Sequence, residues 1–272
     1  MISAGSGRRY LGMQKTRPDP IEEMIIRKSR EEIEKMREAG RIVAGILEML
    51  EKKIKPGVRT ETLDSLAEEY IRERKGIPSF LGYRGFPASI CTSINDVVVH
   101  GIPDKTRLKE GDIIGVDVGV ILDGYQGDAA RTYAVGKVSD AARRLMDTTR
   151  ESLYAGIDAC RPGKRLGDVS NAIQRTAEGG GFSVVVQFVG HGIGKEMHEE
   201  PQIPNFGPPG RGPLLEMGMT FALEPMVNEG AHEVEVDGED GWTVHTVDGM
   251  LSAHFEHTVA ITEGGPDILT LL

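Results

Sequence analysis

Four carboxylates interrupt stretches of the sequence that are otherwise as apolar as buried β-strands. They are Asp117 within IIGVDVGVIL, Asp128 in the run that follows, Glu224 within MTFALEPMV and Glu256 within SAHFEHTVAI. Burying an unpaired carboxylate is costly, and carboxylates brought together repel one another. One acid in such a position is more often salt-bridged or at a sheet edge, but four of them favour a shared positive charge. We therefore predict that these side chains bind metal.

The spacing of the first two acids predicts that they face the same ion. A turn at Asp123-Gly124, a pair typical of β-hairpins, places Asp128 directly opposite Gly119. Gly119 is two residues from Asp117 and therefore shares its face of the sheet. The two acids are then diagonal neighbours about 7–8 Å apart at Cα, a gap that side chains can close around a common cation. We also expect Gly119 to leave open space beside them.

The last two acids are predicted to lie inside continuous strands. Glu224 falls in the middle of its apolar run, and Glu256 follows a pattern of alternating faces. The residues that share the face of Glu256 in this pattern are Ser252, His254 and Thr258.

Three histidines lie at the ends of apolar runs, where functional sites tend to be built. His191 belongs to GHGIG (190–194) after VVVQFV, His198 follows seven residues later, and His100 opens HGIP after INDVVV. A lone histidine is usually just a satisfied polar residue, but three at strand ends favour a site. The remaining histidines are left unassigned: His232, His245, His254 and His257.

The predicted donor set indicates which metals and which chemistry to expect. Four carboxylates and one imidazole suit manganese, iron(II) or cobalt, with zinc as a further candidate, and argue against a sulfur-ligated structural site. Two divalent ions held by shared carboxylates lie about 3.5–4 Å apart and lower the pKa of bound water. The chemistry that this arrangement implies is hydrolysis.

The elements that position these residues recur in the same order in each half of the chain. The apolar periodicity predicts helices over 29–54, around 63–70, over 139–160 and around 169–177, with β-rich runs after each pair of helices.

The recurrence has a nearly constant spacing. Superposing the Pro-Gly helix stops at 56–57 and 162–163 needs an offset of 106 residues, and superposing Gly111 on Gly218 needs 107. The second offset also sets Asp117 against Glu224. Helix stops of this kind are common, but the shared offset and the paired acids favour an internal duplication. We predict an α/β (α+β) fold of two pseudo-twofold halves, with helices covering a curved antiparallel sheet and one site on the axis.

Composition limits the partners and the compartment. The formal net charge is −10, which disfavours nucleic-acid binding and favours partners that carry positive groups, such as a peptide α-amino group. Two cysteines, Cys91 and Cys160, provide no disulfide framework and indicate a reducing compartment. No apolar run is long enough for a membrane span. We expect a cytoplasmic protein with a flexible N-terminal extension over 1–24 and one catalytic domain over 25–272.

Taken together, five motifs resemble the type I methionine aminopeptidases in order and spacing, and the resemblance covers residues 25–272. They are CTSINDVVVHGIPD (91–104), GDIIGVDVGVILDGYQGDAARTYAVG (111–136), GHGIGKEMHEEP (190–201), MTFALEPMVNEG (219–230) and LSAHFEHTVAIT (251–262).

This resemblance implies the pita-bread fold and removal of N-terminal methionine from peptides and nascent proteins, with a small second residue preferred. It assigns His198 to the scissile carbonyl oxygen, His100 to the scissile nitrogen, and to Glu224 the roles of ligand and general base. The metal ligands that it implies, for two divalent ions, are Asp117, Asp128, His191, Glu224 and Glu256.

The resemblance also implies an apolar pocket for the methionine side chain, which packs well on aromatic rings. The residues that would line it are Phe80, Tyr83, Phe86, Cys91, Met197 and Trp242. Two positions depart from the usual bacterial pattern, since Met197 replaces a common aromatic residue and Arg84 a common histidine. These departures affect substrate preference rather than the metal site.

Three alternatives remain open at the level of sequence. A proline-specific aminopeptidase or dipeptidase of this fold usually carries a large N-terminal domain, and only about 25 residues precede the first helix here. A metal-free binding protein or a metal-free amidinohydrolase of this fold would not need all five ligand positions. We further expect a monomer with possible ribosome association, no membrane contact and no direct nucleic-acid binding.

Overall fold

The computed structural model describes residues 24–272, so the predicted extension over 1–24 lies outside the described residues except for its last position. Within residues 30–272, four α-helices follow one another in two pairs: α1 (Arg30–Glu51), α2 (Thr60–Glu73), α3 (Asp140–Ala159) and α4 (Leu166–Gly179). The strands are β1 (Ile77–Pro78), β2 (Ile90–Ile94), β3 (Val97–Val99), β4 (Ile113–Leu122), β5 (Tyr125–Ala134), β6 (Ser183–Val184), β7 (Gly190–Gly192), β8 (Glu199–Ile203), β9 (Thr220–Leu223), β10 (Met226–Asn228), β11 (Val234–Val236), β12 (Val244–Thr246), β13 (Ser252–His254), β14 (His257–Thr262) and β15 (Gly265–Ile268).

The first helix of each pair begins at a serine cap. Ser29 accepts a hydrogen bond from the backbone of Glu32, whose carboxylate accepts one from the backbone of Ser29 in return. Ser139 caps α3 by accepting from the backbone of Ala142. These bonds satisfy amide groups that have no partner inside the helix. The predicted helices are confirmed, with ends within a few residues of the expected positions.

The β4–β5 hairpin carries the first two acids in the predicted register. Leu122 pairs with Tyr125 across the turn, and Gly119 pairs with Asp128. The expectation that Gly119 leaves open space was wrong. A Cβ atom at Gly119 would lie 2.7 Å from Cε1 of Phe80 and 2.9 Å from Cε of Met197, so neighbouring side chains already fill that space.

The internal duplication is visible in matching backbone hydrogen bonds. Before α2, the amide of Gly57 donates to the carbonyl of Leu108; before α4, the amide of Gly163 donates to the carbonyl of Leu215. The donors differ by 106 positions (163 against 57) and the acceptors by 107 (215 against 108), the two offsets that the sequence predicts. In both halves, the segment before the second helix is therefore hydrogen-bonded in the same way to the segment before a central strand, β4 or β9.

Antiparallel sheets fill the interior of both halves. In the first half, β1, β4 and β2 lie in that order, with β5 on β4; in the second, the order is β15, β14, β9, β7, β8. The pairs α1–α2 and α3–α4 pack their apolar faces on these sheets through separate clusters of buried side chains. The observed architecture is thus the predicted one of duplicated halves covered by helices.

The last two acids lie at breaks between strands, not inside them as predicted. Glu224 falls between β9 and β10, and Glu256 falls between β13 and β14. The predicted alternation through 252–258 therefore does not persist, because Glu256 lies outside both strands. The apolar run before His191 was also overestimated as a strand, because β6 covers only Ser183–Val184.

The two halves meet where the acids are. The amide of Asp128 donates to Oγ1 of Thr258 at 3.0 Å, and this hydroxyl donates to the carbonyl of Asp128 at 2.7 Å. The amide of Glu256 donates to the carbonyl of Ala130. These bonds connect β5 of the first half with the β13–β14 region of the second. Among the described residues, no helix is both long and apolar enough to cross a bilayer.

Candidate metal centre

One cavity of about 160 Å³ at the junction of the halves is lined by all of the residues predicted as metal ligands, as catalytic histidines or as the methionine pocket. Strands β4 and β5 contribute Asp117 and Asp128, β7 contributes His191, and the two strand breaks contribute Glu224 and Glu256. The side chains that line the cavity are Phe80, Tyr83, Arg84, Phe86, Cys91, His100, Asp117, Asp128, His191, Met197, His198, Glu224, Trp242 and Glu256.

The carboxylates in this cavity lack the partners that buried charges require. Within residues 24–272, Asp117 Oδ1, Asp128 Oδ1 and Glu256 Oε1 are buried atoms without a hydrogen-bond partner. Burial raises the pKa of Asp117 to about 7. Burial, followed by repulsion from neighbouring carboxylates, also raises the pKa of Asp128 and of Glu256 well above their ordinary values. Such a cluster is stable as carboxylates only with added positive charge.

His191 presents one nitrogen to the same space. Its Nδ1 lies 2.9 Å from the carbonyl oxygen of Gly192 and donates a hydrogen bond to it, which leaves a lone pair on Nε2. This Nε2 is 3.6 Å from Oε1 of Glu224. Burial, with a smaller contribution from His198, lowers the pKa of His191 to about 3, so the ring is neutral. A neutral imidazole oriented by a carbonyl is the usual form of a histidine ligand.

The residues present fit divalent cations. One ligand atom from each of Asp128, His191 and Glu256 lies within 4.8 Å of the others, a spacing that a single ion can bridge. The remaining acids, Asp117 and Glu224, line the same cavity. The thiol of Cys91 also lines it, but burial raises its pKa well above the ordinary value and keeps it protonated. The donors are therefore oxygen and nitrogen, which suits hard and borderline metals.

His198 stands at the edge of this cluster and is held by Tyr83. The phenolic oxygen of Tyr83 is 2.7 Å from Nδ1 of His198, and the rings of His198 and His191 have centroids 4.2 Å apart. Burial, and then the positive charge of Arg84, lowers the pKa of His198. When the phenol donates to Nδ1, the neutral ring carries its proton on Nε2 and can donate a hydrogen bond from there.

His100 follows β3 as the sequence predicts and lines the same cavity. Its backbone has φ 60°, an uncommon value for a residue with a side chain. Its ring meets Phe188 and Trp242 edge-on, with centroids 5.8 Å and 6.2 Å away. Burial lowers the pKa of His100 to about 4, so this ring is neutral as well.

An apolar wall closes the end of the cavity beside the carboxylates. Phe86 and Trp242 pack edge to face with centroids 5.2 Å apart, and Phe86, Ala88 and Cys91 form one buried cluster with Trp242 against it. Met197 is buried and contributes to the neighbouring cluster with Phe80. The cavity therefore offers a floor of carboxylates and a hydrophobic pocket side by side.

One residue near the site was left unassigned by the sequence. His254 is buried, and its Nε2 lies 3.7 Å from Oε2 of Glu224 with no hydrogen-bond partner among the described residues. Burial lowers the pKa of His254 to about 3. The signal that could have found it was the spacing of two residues from Glu256 on the predicted shared face.

The comparisons with known proteins agree with this geometry. The model of metallopeptidase family M24 matches residues 34–263. The chain belongs to metallopeptidase family M24. The matched residues include parts of both halves and each of the acids and histidines described above.

Individual relatives narrow the comparison within family M24. The chain is 58% identical over 249 residues to a protein named methionine aminopeptidase from Clostridium acetobutylicum, covering 91% of this chain and 99% of the relative. It also superposes on a crystal structure of methionine aminopeptidase from Thermotoga maritima with a TM-score of 0.90 and 50% identity, covering 92% of this chain and all of that one.

A more distant solved structure shares only the fold. The prolidase from Pyrococcus furiosus superposes with a TM-score of 0.73 at 22% identity, and this chain covers 67% of its length. This prolidase therefore has the same architecture as the chain, but its sequence is much less similar to the chain than the sequences of the two relatives named methionine aminopeptidase.

Proposed function

We propose that this M24 metallopeptidase is a methionine aminopeptidase, which removes the N-terminal methionine from peptides and nascent proteins and prefers a small second residue. The observation that carries the proposal is that the carboxylate–histidine cluster and the closed apolar wall line the same cavity. The high identity to relatives named methionine aminopeptidase supports the same substrate.

The metal centre of this proposal takes two divalent cations, with cobalt, manganese, iron(II) and zinc as candidates. When bound, the cations polarise the scissile carbonyl group and lower the pKa of water. The protein supplies an acid-rich floor that neutralises their charge. The ligands in this proposal are Asp117, Asp128, His191, Glu224 and Glu256.

Selectivity for the first residue follows from the shape and charge of the cavity. The methionine side chain would fill the apolar end formed by Phe86, Cys91 and Trp242 together with Tyr83, where a flexible thioether packs well on aromatic rings. The free α-amino group of the substrate would then face the carboxylate floor. An internal residue has no such amino group and would place an amide there, so only the terminal residue is cleaved.

Two neutral histidines would contact the two polar atoms of the scissile peptide bond. His198, with Nδ1 engaged by Tyr83, is set to donate from Nε2 to the carbonyl oxygen as negative charge develops on it. His100, which lines the same cavity, would contact the scissile nitrogen. Because both rings are neutral, neither repels the nearby cations.

Glu224 would act as the general base. Burial, and then the charge of Asp117, raises its pKa well above the ordinary value in the metal-free cavity, so the carboxylate would be ionised for this role when cations are bound. It would take a proton from the attacking water and pass it to the leaving amine. Its position at the strand break is fixed by Asn205, whose amide donates to the backbone carbonyl of Glu224 at 3.0 Å.

A peptide assay with controlled metal content tests the proposal. The protein is stripped with chelator and then supplied with Mn, Co or Fe(II), and release of the first residue is compared for Met-Ala-Ser, Ala-Pro-Ser and Leu-Ala-Ser. We expect release of methionine only, and only with metal. Preferential cleavage of the Ala-Pro peptide would support the proline-specific alternative, and full activity after metal stripping would contradict metal-assisted hydrolysis.

The cellular setting belongs to the same proposal. We expect the protein to act in the cytoplasm as a monomer on chains that emerge from the ribosome. Sedimentation of the purified protein checks the monomer, since a stable dimer would appear as a species of twice the mass of 29.6 kDa.

A further inference from the structure

Arg84 occupies an unusual position beside the metal centre. It lies in a single 3₁₀ turn (Tyr83–Gly85) with φ 49° and ψ 22°, between Gly82 and Gly85, which also have positive φ. A left-handed backbone is uncommon for a residue with a side chain and clusters at functional sites. The turn places Arg84 directly after Tyr83, with its guanidinium carbon 5.4 Å from the centre of the Tyr83 ring.

Arg84 and His198 form the opening of the metal cavity. Of the described residues that line this cavity, they are the two exposed ones; the others are buried or half-buried. Both also line a second, adjoining cavity of about 330 Å³, to which β8 contributes Glu199, Glu200 and Gln202. A peptide whose first residue fills the closed apolar end must leave through this opening, and its later residues then enter the second cavity.

The guanidinium of Arg84 is available for a carboxylate. It makes no ion pair with any Asp or Glu in residues 24–272. Of the two acids in the adjoining cavity, Glu199 is engaged by Lys28 and by the backbone of Lys195, whereas Glu200 is exposed. Among the charged side chains of the adjoining cavity in the described part of the chain, only Arg84 also lines the metal cavity, so the first charged side chain after the scissile bond meets Arg84 before it reaches Glu200.

We infer that Arg84 is a specificity-determining residue that binds a carboxylate carried by the substrate just downstream of the scissile bond, at its third or fourth residue. The inference rests on the proposed function and specifies its substrate class. The net charge of −10 and the carboxylate floor oppose acidic peptides. Arg84 offsets that repulsion locally and admits peptides with an acidic third or fourth residue.

A set of amidated peptides tests this role. Met-Ala-Asp-Gly-amide, Met-Ala-Asn-Gly-amide and Met-Ala-Lys-Gly-amide differ in one side chain and carry no terminal carboxylate. Because exposed ion pairs are weak, we expect the ratio of kcat/KM for the Asp peptide to that for the Asn peptide to fall about two- to fivefold in Arg84→Gln. The change should appear in KM rather than kcat and should disappear in high salt.

Three further variants sharpen the result. Arg84→Lys keeps the charge and should retain most of the ratio. Arg143→Gln removes an equal charge from an exposed position on α3 and should leave the ratio unchanged. Glu200→Gln removes the opposing acid and should raise the ratio. A tripeptide acid, Met-Ala-Gly, compared with its amide, shows whether a chain-terminal carboxylate is bound in the same way.

The outcomes separate the two proposals. If wild type and Arg84→Gln cleave all peptides with the same ratios, the role of Arg84 is overturned although methionine removal stands. If Arg143→Gln changes the ratio as much as Arg84→Gln, the effect is one of net charge and the inference is also wrong. If no peptide loses methionine, the proposed function itself fails.

Discussion

The phenolic oxygen of Tyr83 lies 2.7 Å from Nδ1 of His198, and the two rings stack with centroids 5.5 Å apart. This contact connects the one-turn segment that lines the apolar pocket to the histidine at the metal cluster. By accepting at Nδ1, His198 is held in the tautomer that carries a proton on Nε2. The same hydroxyl thus fixes both the orientation and the donor capacity of the histidine.

Tyr83→Phe is expected to lower kcat by about two- to tenfold with little change in KM, because one hydrogen bond that orients a donor is lost while the aromatic surface remains. Steady-state kinetics on Met-Ala-Ser measures both constants. The matched control is Tyr154→Phe, which removes a hydroxyl 3.4 Å from Nε2 of His257, outside the metal cavity. An equal loss of kcat in both variants would remove the special role of Tyr83.

Much of the fold was predictable from periodic signals. The Pro-Gly stops and the register of the β4–β5 hairpin depend on local chemistry, and both appear in the structure as expected. The duplication was predictable because two independent offsets agreed. These features are determined by residues close together in the chain, so sequence patterns record them well.

The parts that were missed depend on contacts between distant segments. Gly119 is packed by Phe80 and Met197, which lie on other segments, so no local pattern could show that its space is filled. The strand breaks at Glu224 and Glu256 turn those side chains toward a common centre, and alternation cannot predict a break. The contact between His254 and Glu224 was missed for the same reason, because the two residues are 30 positions apart in the chain (254 against 224).

His254→Ala is expected to weaken metal binding or activity by about 10- to 100-fold, the usual range for a residue that supports a ligand. Its Nε2 is 3.7 Å from Oε2 of Glu224, and a small movement would let this N–H donate to the carboxylate and fix its orientation. His254→Gln, which retains a donor, should lose less than His254→Ala.

Calorimetric titration with Mn²⁺ and kcat on Met-Ala-Ser together check the role of His254. His245→Ala is the control. Nδ1 of His245 lies 3.1 Å from Oδ2 of Asp96, outside the metal cavity, so this variant should bind metal normally. Unchanged metal affinity and unchanged kcat in His254→Ala would show that the proximity to Glu224 has no consequence.

The metal-free protein is expected to lose stability as pH rises from about 4 to about 7 and above. The folded-state pKa of Asp117 is raised to about 7, so the folded protein retains a proton that the unfolded chain has already released. Stability falls with pH wherever the folded state binds more protons. Between pH 5 and the folded-state pKa of about 7, retention of this proton costs about 3 kcal/mol at one carboxyl, and we expect the melting temperature in chelator to fall by about 5–10 °C over this interval.

Metal should reverse this dependence, because bound cations require ionised ligands and bind more tightly as pH rises. Differential scanning calorimetry at pH 5 and pH 8, with chelator or with Mn²⁺, measures both trends. A melting temperature in chelator that rises between these pH values would contradict the buried, unpaired state of the carboxylates.

Asp128→Asn should have opposite effects on stability and on metal binding. The amide replaces a buried carboxyl group whose pKa is raised by burial and by the charges of Asp117 and Glu224. The metal-free variant should therefore melt at a higher temperature than the wild type at pH 8. Its affinity for Mn²⁺ should fall by orders of magnitude. Asp123→Asn, at the exposed turn of the same hairpin, is the control and should change neither quantity. Tight Mn²⁺ binding by Asp128→Asn would exclude Asp128 from the ligand set.

Gly119→Ala is expected to narrow the methionine pocket without disturbing the metal cluster. The added Cβ would lie 2.7 Å from Phe80 and 2.9 Å from Met197, so these side chains must move into the pocket. Overpacking of this kind costs about 1–3 kcal/mol, which predicts a KM for Met-Ala-Ser at least about fivefold higher, while Mn²⁺ affinity stays the same. Gly115→Ala on the same strand is the matched control, because its Cβ would meet its nearest neighbour at 3.6 Å, an ordinary contact. If both variants bind the peptide equally well, Gly119 does not limit the pocket; if Gly119→Ala instead loses Mn²⁺ while Gly115→Ala retains it, the glycine supports the ligands rather than the substrate.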